Sequence, residues 1–354
     1  MRRNALLLVA LVASLCAVPA FAQTSPAPRH HTWWMEPPAG AEPYTVDAKK
    51  LPLLRVQGNR IVDPSGKPVL LRGVNIADPD KLTQQGHWNR EFFEKVKDLG
   101  TTLVRIPVHP IAWREIGAAN YLQMLDQAVG WCTDLNMYVI IDWHSIGNMT
   151  TGVYQDPMYI TNREETFTFW RAIARHYNGH NTVAFLELFN EPAAFGRVSW
   201  EEWRRIVEDE IAAIRDVNTQ AIPLVAAFDW AYDLTPLHLS PINAEGIAYT
   251  VHPYEMKRTR PWEPKWDEDF GFAAAQYPIL ATEFGTGNSF EDKDTPGQEP
   301  YEPALIRYLE SRGIGWAAWS FDPDWGAPPL ISNWNYDLTP RGKFLRSVMH
   351  GEFK

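Results

Sequence analysis

The sequence predicts an α/β chain folded as one closed parallel (β/α)8 barrel, a TIM barrel with a short N-terminal β-hairpin. Three observations carry that expectation. Short apolar, β-branched runs recur at 69–75, 102–108, 137–143, 183–190, 223–229, 247–252, 278–283 and 314–320, near-continuous as strands buried on both faces are. Helical periodicity fills most of the intervals between them. No G-x-G-x-x-G follows the first run, and Gly285-Thr286-Gly287 comes late and lacks a third glycine; an open doubly wound sheet is the weaker alternative.

The chain has 354 residues, 45% of them hydrophobic and 21% charged. At ~150 residues per domain that allows two domains, but one barrel also fits. No break in composition divides the chain, so residues 51–354 read as a single catalytic barrel. The ordinary apolar fraction excludes disorder for most of its length. A net charge of −10 offers no basic footprint for nucleic acid. The 16 tryptophans exceed what a core needs, and some are expected to be exposed for stacking.

At the N-terminus, Arg2 and Arg3 precede an apolar run, Ala5 to Val18, and Ala20-Phe21-Ala22 reads as a cleavage site. Residues 1–22 therefore read as an export signal, too short to span a bilayer. Cys16 raises lipidation as an alternative, but Leu15 stands where such signals want a small residue. Residues 23 to about 50 are rich in Pro, Ala and His and read as an arm, with His30-His31 as solvated tail rather than metal pair.

Leu54-Arg55-Val56 and Arg60-Ile61-Val62 flank Gln57-Gly58-Asn59 as a hairpin, and Asp63-Pro64-Ser65-Gly66 turns the chain again. Leu122, Leu125, Val129, Cys132 and Leu135 form one helix face, which makes Cys132 a buried small hydrophobe. Phe167, Trp170, Ile173, Ala174 and Tyr177 mark another helix. A third presents Trp203, Ile206, Val207, Ile211 and Ile214 behind a Ser199–Glu202 capping box. The interval from Leu234 to Asn243 holds a turn or two of helix at most, and Thr339-Pro340 starts the last helix.

In such a barrel, polar residues at the carboxyl ends of strands line one open face and read as catalytic. The second run carries Arg105, and the third ends in Asp142-Trp143-His144. The fourth ends in Asn190-Glu191-Pro192, the sixth in His252-Pro253-Tyr254, the seventh in Thr282-Glu283-Phe284-Gly285 and the eighth in Trp319-Ser320. Two glutamates at opposed strand ends suit glycosidic cleavage, which needs a proton donor for the leaving oxygen and a second carboxylate for the oxocarbenium-like centre. Tyr254 and Arg105 are placed to donate hydrogen bonds to an ionised Glu283. Asn190 offers an amide to a sugar 2-hydroxyl, and Trp319 a flat platform for a pyranose ring.

Leu188-Phe189-Asn190-Glu191-Pro192, Ala281-Thr282-Glu283-Phe284-Gly285 and Gly66-Lys67-Pro68-Val69-Leu70-Leu71-Arg72-Gly73-Val74-Asn75 together resemble family 5 glycoside hydrolases, the cellulase family of clan A. The resemblance runs from about Leu54 to Val348. It implies Glu191 as acid/base and Glu283 as nucleophile, with Arg105, His144, His252, Tyr254 and Trp319 matching the family's strand-end residues. Ala184, where a larger aliphatic is usual, and Ala193 after the Asn-Glu-Pro are small departures.

Blander roles are expected elsewhere. Glu187, on the same face as Glu191, reads as the partner of an interior arginine such as Arg105. His109, Arg72 and Asn75 read as structural. Trp131, Trp170 and Trp203 lie at helical spacing in the core, whereas Trp143, Trp230, Trp262, Trp266 and Trp325 are candidate sugar platforms. Residues Glu291 to Glu302 read as a solvated acidic loop, with a calcium site as the alternative. Asn148-Met149-Thr150 matches a glycosylation acceptor. No G-x-S-x-G, H-E-x-x-H, C-x-x-C or phosphate loop is present.

The expectation is a secreted, monomeric, retaining endo-β-1,4-glucanase acting on a β-glucan polysaccharide without metal or cofactor, and with neither nucleic acid nor, after removal of the signal, membrane as partner. The rivals are mannanase, mixed-linkage glucanase or xylanase within the class, and a non-catalytic carbohydrate-binding barrel or a Ser145 esterase outside it.

Overall fold

The computed structural model describes residues 42–193, 198–286, 299–325 and 328–353. The signal at 1–22 and most of the arm lie outside the described residues, as does most of the acidic loop. A closed barrel of eight parallel strands is built from Arg72–Asn75, Leu103–Val108, Tyr138–Trp143, Val183–Glu187, Ile222–Ala226, Ala248–Val251, Ile279–Ala281 and Gly315–Ala318, paired in chain order. Each expected run contains its strand except the fifth, where the strand starts one residue earlier, at Ile222. A Cβ at Gly73 would strike the Leu103 carbonyl oxygen, so glycine lets the first two strands pair this closely.

Side-chain alternation sorts the strands into two cores. Leu71, Leu103, Ile140, Phe185, Leu224 and Leu280 fill the barrel interior below the site, joined by Leu54 and Ile61 from the hairpin. The other face packs outward on the helices, where Ala118–Asp134 buries Leu122, Leu125, Val129 and Cys132. Burial pushes the Cys132 thiol up, away from reactivity. The capping box at Ser199 and Glu202 starts helix Trp200–Arg215, and the Thr339 hydroxyl caps Pro340–Met349. After the fifth strand the chain makes only the short Phe228–Ala231 turn and the 3-10 turn Thr235–His238.

Several expectations change in detail. The hairpin pairs Gln57 with Arg60, so its loop is Gly58-Asn59 alone, with Gly58 at φ 59°. The end of the arm is folded down: Tyr44 donates its backbone N–H to the His176 carbonyl and stacks on the His180 ring. The acidic segment ends earlier than expected, because helix Tyr301–Ser311 begins inside it and buries Glu302 against Arg341. Asn148 is fully buried in a strand, so its amide nitrogen is not presented at the surface as a glycosylation acceptor must be; its Oδ1 accepts from the Thr150 N–H. Among the described residues, no helix is long and apolar enough to cross a membrane.

Candidate active site

The site is organised from its floor by Arg105. This arginine points inward from the second strand and is fully buried, with its guanidinium hydrogen-bonded to protein groups. Nε donates to Glu187 Oε2 at 2.6 Å, Nη1 to Glu283 Oε1 at 2.6 Å and to Asn75 Oδ1 at 2.9 Å, and Nη2 to Asn190 Oδ1 at 2.7 Å. Asp142 Oδ2 lies 3.0 Å from Nη2. One rigid fork thereby fixes five side chains from four strands, a task for which a lysine has the wrong shape. Burial works to raise Glu187, but the Arg105 charge and His252 override it and hold the carboxyl at about 2. Thr282 Oγ1 also donates to Glu187, at 2.7 Å.

Glu191 leaves the barrel just beyond the fourth strand. Its N–H donates to the Ser145 carbonyl, and those of Asn190 and Ala193 to the Trp143 and Gly147 carbonyls. The Asn-Glu-Pro segment is thus laced to the continuation of the third strand, which aims Glu191 across the mouth. Glu283 stands opposite on the seventh strand end, receiving the Tyr254 hydroxyl at 2.8 Å on the oxygen that Arg105 does not use. An oxygen of Glu191, an oxygen of Glu283 and a nitrogen of His252 all lie within 4.8 Å of one another.

The two carboxyls have different surroundings. Glu283 is held by an arginine and a tyrosine. Glu191 meets His252 Nδ1 at 3.1 Å and has no arginine partner among the described residues; burial raises its carboxyl above the ordinary value, against the pull of His252. Burial alone would lower the His252 imidazole, yet Glu283, Glu187 and Glu191 around it win and raise it to about 9. The facing atoms of Glu191, His252 and Glu283 are close enough to hold a metal ion, and the contacts of His252 with the two carboxylates account for their convergence without one.

His144 Nδ1 meets Asp142 Oδ2 at 2.6 Å, and its ring lies parallel to Trp319 with centroids 5.6 Å apart. Burial pushes the His144 imidazole well down and the Asp142 carboxyl well up. Above these groups a groove of about 300 Å³ is lined by His144, Asn190, Glu191, Tyr254, Glu283 and Trp319, with Tyr159, Gln155, Trp230 and Trp325 on its walls. The structure therefore brings together Arg105, His144, Asn190, Glu191, His252, Tyr254, Glu283 and Trp319. Among the described residues, the Nδ2 of Asn190 has no hydrogen-bond partner.

The tryptophans require correction. Trp143, Trp262 and Trp266 are buried, not exposed: Trp143 points outward from its strand and stacks on Phe169, while Trp262 and Trp266 stack on each other. Trp131 is only half-buried, at the edge of the helix core. Trp230 and Trp325 do reach the groove. Four residues have a larger part in the site than the sequence reading gives them. Asp142 sits two positions before His144, and strand alternation alone places both on the inner face. Asn75 does more than support its strand, since its Oδ1 receives Arg105. Arg341 binds the Phe284 and Trp319 carbonyls and pairs with buried Glu302, bracing two strand ends. Tyr159 comes from a loop and carries no sequence signal. His109 is buried and held by Asp78 at 2.9 Å, with its ring beside that of His144, and Arg72 pairs with Glu310 at 2.7 Å.

Comparison with known proteins agrees with this geometry. A β-glucanase from Saccharophagus degradans, solved in complex with cellotetraose, is 38% identical, with a TM-score of 0.82; the match covers 92% of this chain and 100% of that one. An endoglucanase from Paenibacillus polymyxa is 24% identical over 88% of this chain and 90% of its own length. Endoglucanase A from Butyrivibrio fibrisolvens is 30% identical over 57% of this chain, which spans only 45% of that relative. Residues 62–324 match the model of cellulase, glycosyl hydrolase family 5. The chain belongs to that family, and its fold and strand-end carboxylates are those of a glycoside hydrolase.

Proposed function

We propose that the protein is a secreted, retaining endo-β-1,4-glucanase. The observation that carries this reading is the approach of the Glu191 and Glu283 carboxyl oxygens to within 4.8 Å. Retaining enzymes space their carboxyl groups by ~5–5.5 Å, whereas inverting ones leave ~6.5–9.5 Å for a water. Glu283 attacks the anomeric carbon while Glu191 gives its proton to the departing glycosidic oxygen, forming a glycosyl ester on Glu283. Glu191, now a carboxylate, takes a proton from water, whose oxygen displaces Glu283 and regenerates both groups.

Each neighbour has a place in the cycle. Burial of Glu191 favours the protonated form that the first step consumes. Tyr254 and Arg105 hold the Glu283 carboxylate in one orientation. The unpartnered Asn190 amide is the donor for the 2-hydroxyl, and Trp319 carries the sugar whose bond breaks. The residue roles, the monomeric state, the export signal and the β-glucan substrate are all part of this proposal. Export is supported by the Xanthomonas campestris relative, whose name is major extracellular endoglucanase.

A second reading is a β-glucanase that also takes mixed-linkage glucan, since the Saccharophagus relative is named a β-glucanase with no linkage specified. Reducing-sugar release compared across carboxymethylcellulose, mixed-linkage glucan, glucomannan and xylan separates these readings. Preference for carboxymethylcellulose supports the first, preference for mixed-linkage glucan the second, and preference for glucomannan or xylan contradicts both.

A further inference from the structure

The turn after the fifth strand is held in a conformation its sequence resists. Asp229, Trp230 and Ala231 have φ of 58°, 55° and 56°, so three consecutive residues with side chains occupy the left-handed region. Such residues persist only where their surroundings over-determine them. The turn packs against Glu191–Pro192, and the Ala231 carbonyl accepts the His252 N–H at 2.8 Å. Its middle residue, Trp230, lines the groove and donates its indole N–H to Gln155 Oε1 at 3.0 Å.

One side chain grips this turn from across the groove. Lys257 belongs to the short turn Glu255–Lys257 that follows Tyr254, and it lines the same groove. Its ammonium donates to the Asp229 carbonyl at 2.6 Å and lies 3.4 Å from the Asp229 carboxylate. It also stands 4.9 Å from the centroid of the Trp230 ring, within cation–π range. A single charge thereby contacts the strained backbone, its acidic side chain and the aromatic ring that the strain presents.

We propose that Lys257 is a positioning residue for the leaving half of the substrate: it clamps the Asp229–Ala231 turn so that Trp230 is fixed as the platform on the Glu191 side of the scissile bond. The side follows from the mechanism, since Glu191 protonates the oxygen of the departing sugar and the turn packs on Glu191. The inference rests on the glycosidase reading above.

The test compares two substrates that share a glycone but differ in leaving group. Cellotetraose places sugars on the Glu191 side, and β-cellobiosyl fluoride places only a fluorine there. In Lys257→Met, the kcat/KM ratio of cellotetraose to the fluoride should fall about tenfold, the size of loss that a small misplacement of bound substrate causes. Lys257→Arg, which keeps a cation and donors, should recover most of that ratio. In a Trp230→Ala background, Lys257→Met should lower the ratio no further. Equal losses on both substrates, an unchanged ratio, an Arg variant as impaired as the Met one, or losses that multiply in the double variant would overturn the inference. Failure of the unsubstituted enzyme to cleave either substrate would instead strike the glycosidase reading.

Discussion

His252 Nδ1 lies 3.1 Å from Glu191 Oε1 and 3.8 Å from Glu283 Oε2, so one buried imidazole borders both carboxylates of the site. With Glu187 behind it, this ring holds a proton up to a pH of about 9. The floor of the barrel therefore sets Arg105 and His252 among Glu187, Glu191 and Glu283, and burial pushes the Glu191 carboxyl above its ordinary value.

Replacing each glutamate separates their roles. Glu283→Ala should abolish turnover while oligosaccharide binding, measured by calorimetry, persists. Glu191→Ala should lose ~10²–10⁴-fold on cellotetraose and much less on a substrate whose leaving group needs no proton. Undiminished hydrolysis by Glu283→Ala would remove it as nucleophile.

The His252 proton also links stability to pH. Its folded value, about 9, lies above the ordinary value of ~6.5. The stabilisation is therefore fully present below pH ~6.5 and is lost as pH rises through about 9. The shift corresponds to on the order of 3 kcal/mol. Urea midpoints should fall across this window in the native protein and fall less in His252→Gln. Equal slopes in the two proteins would contradict the assignment.

Arg105→Lys tests whether the fork matters or only the charge. Lysine cannot reach Glu187, Glu283, Asn190 and Asn75 together, so buried carboxylates are left unpaired. Denaturation should show a loss of about 3–5 kcal/mol, as for broken buried ion pairs. A stable, active lysine variant would show that charge alone suffices.

Glu210 offers a control away from the site. It is buried in helix Trp200–Arg215, neither carboxylate oxygen has a hydrogen-bond partner among the described residues, and burial raises it well above its usual value. A raised carboxyl makes folding less favourable as pH climbs past the ordinary value. Glu210→Met should stabilise the protein at pH 8 by about 1–3 kcal/mol, the size of an unsatisfied buried group, with kcat unchanged. A fall in melting temperature would show that the carboxyl has a partner.

Much of this was legible in the sequence because barrel strands are buried on both faces and read as uninterrupted apolar runs. Polar residues at their ends then stand out: Arg105, Glu191, His252 and Glu283 were each conspicuous for this reason. Two kinds of residue were not. Trp143 ends its strand and His144 follows it, but alternation turns Trp143 toward Phe169 and the helices; position near the mouth is no substitute for the side on which a residue points. Tyr159, Gln155 and Lys257 come from loops whose course no periodicity encodes, so their convergence on the groove emerges only in three dimensions.

The account depends most on the distance between Glu191 and Glu283. Proton NMR of cellotetraose hydrolysis, recorded before mutarotation, reads the anomer released first. The account predicts the β-anomer, the mark of a covalent intermediate on Glu283. Initial release of the α-anomer would mean inversion and would contradict the double displacement.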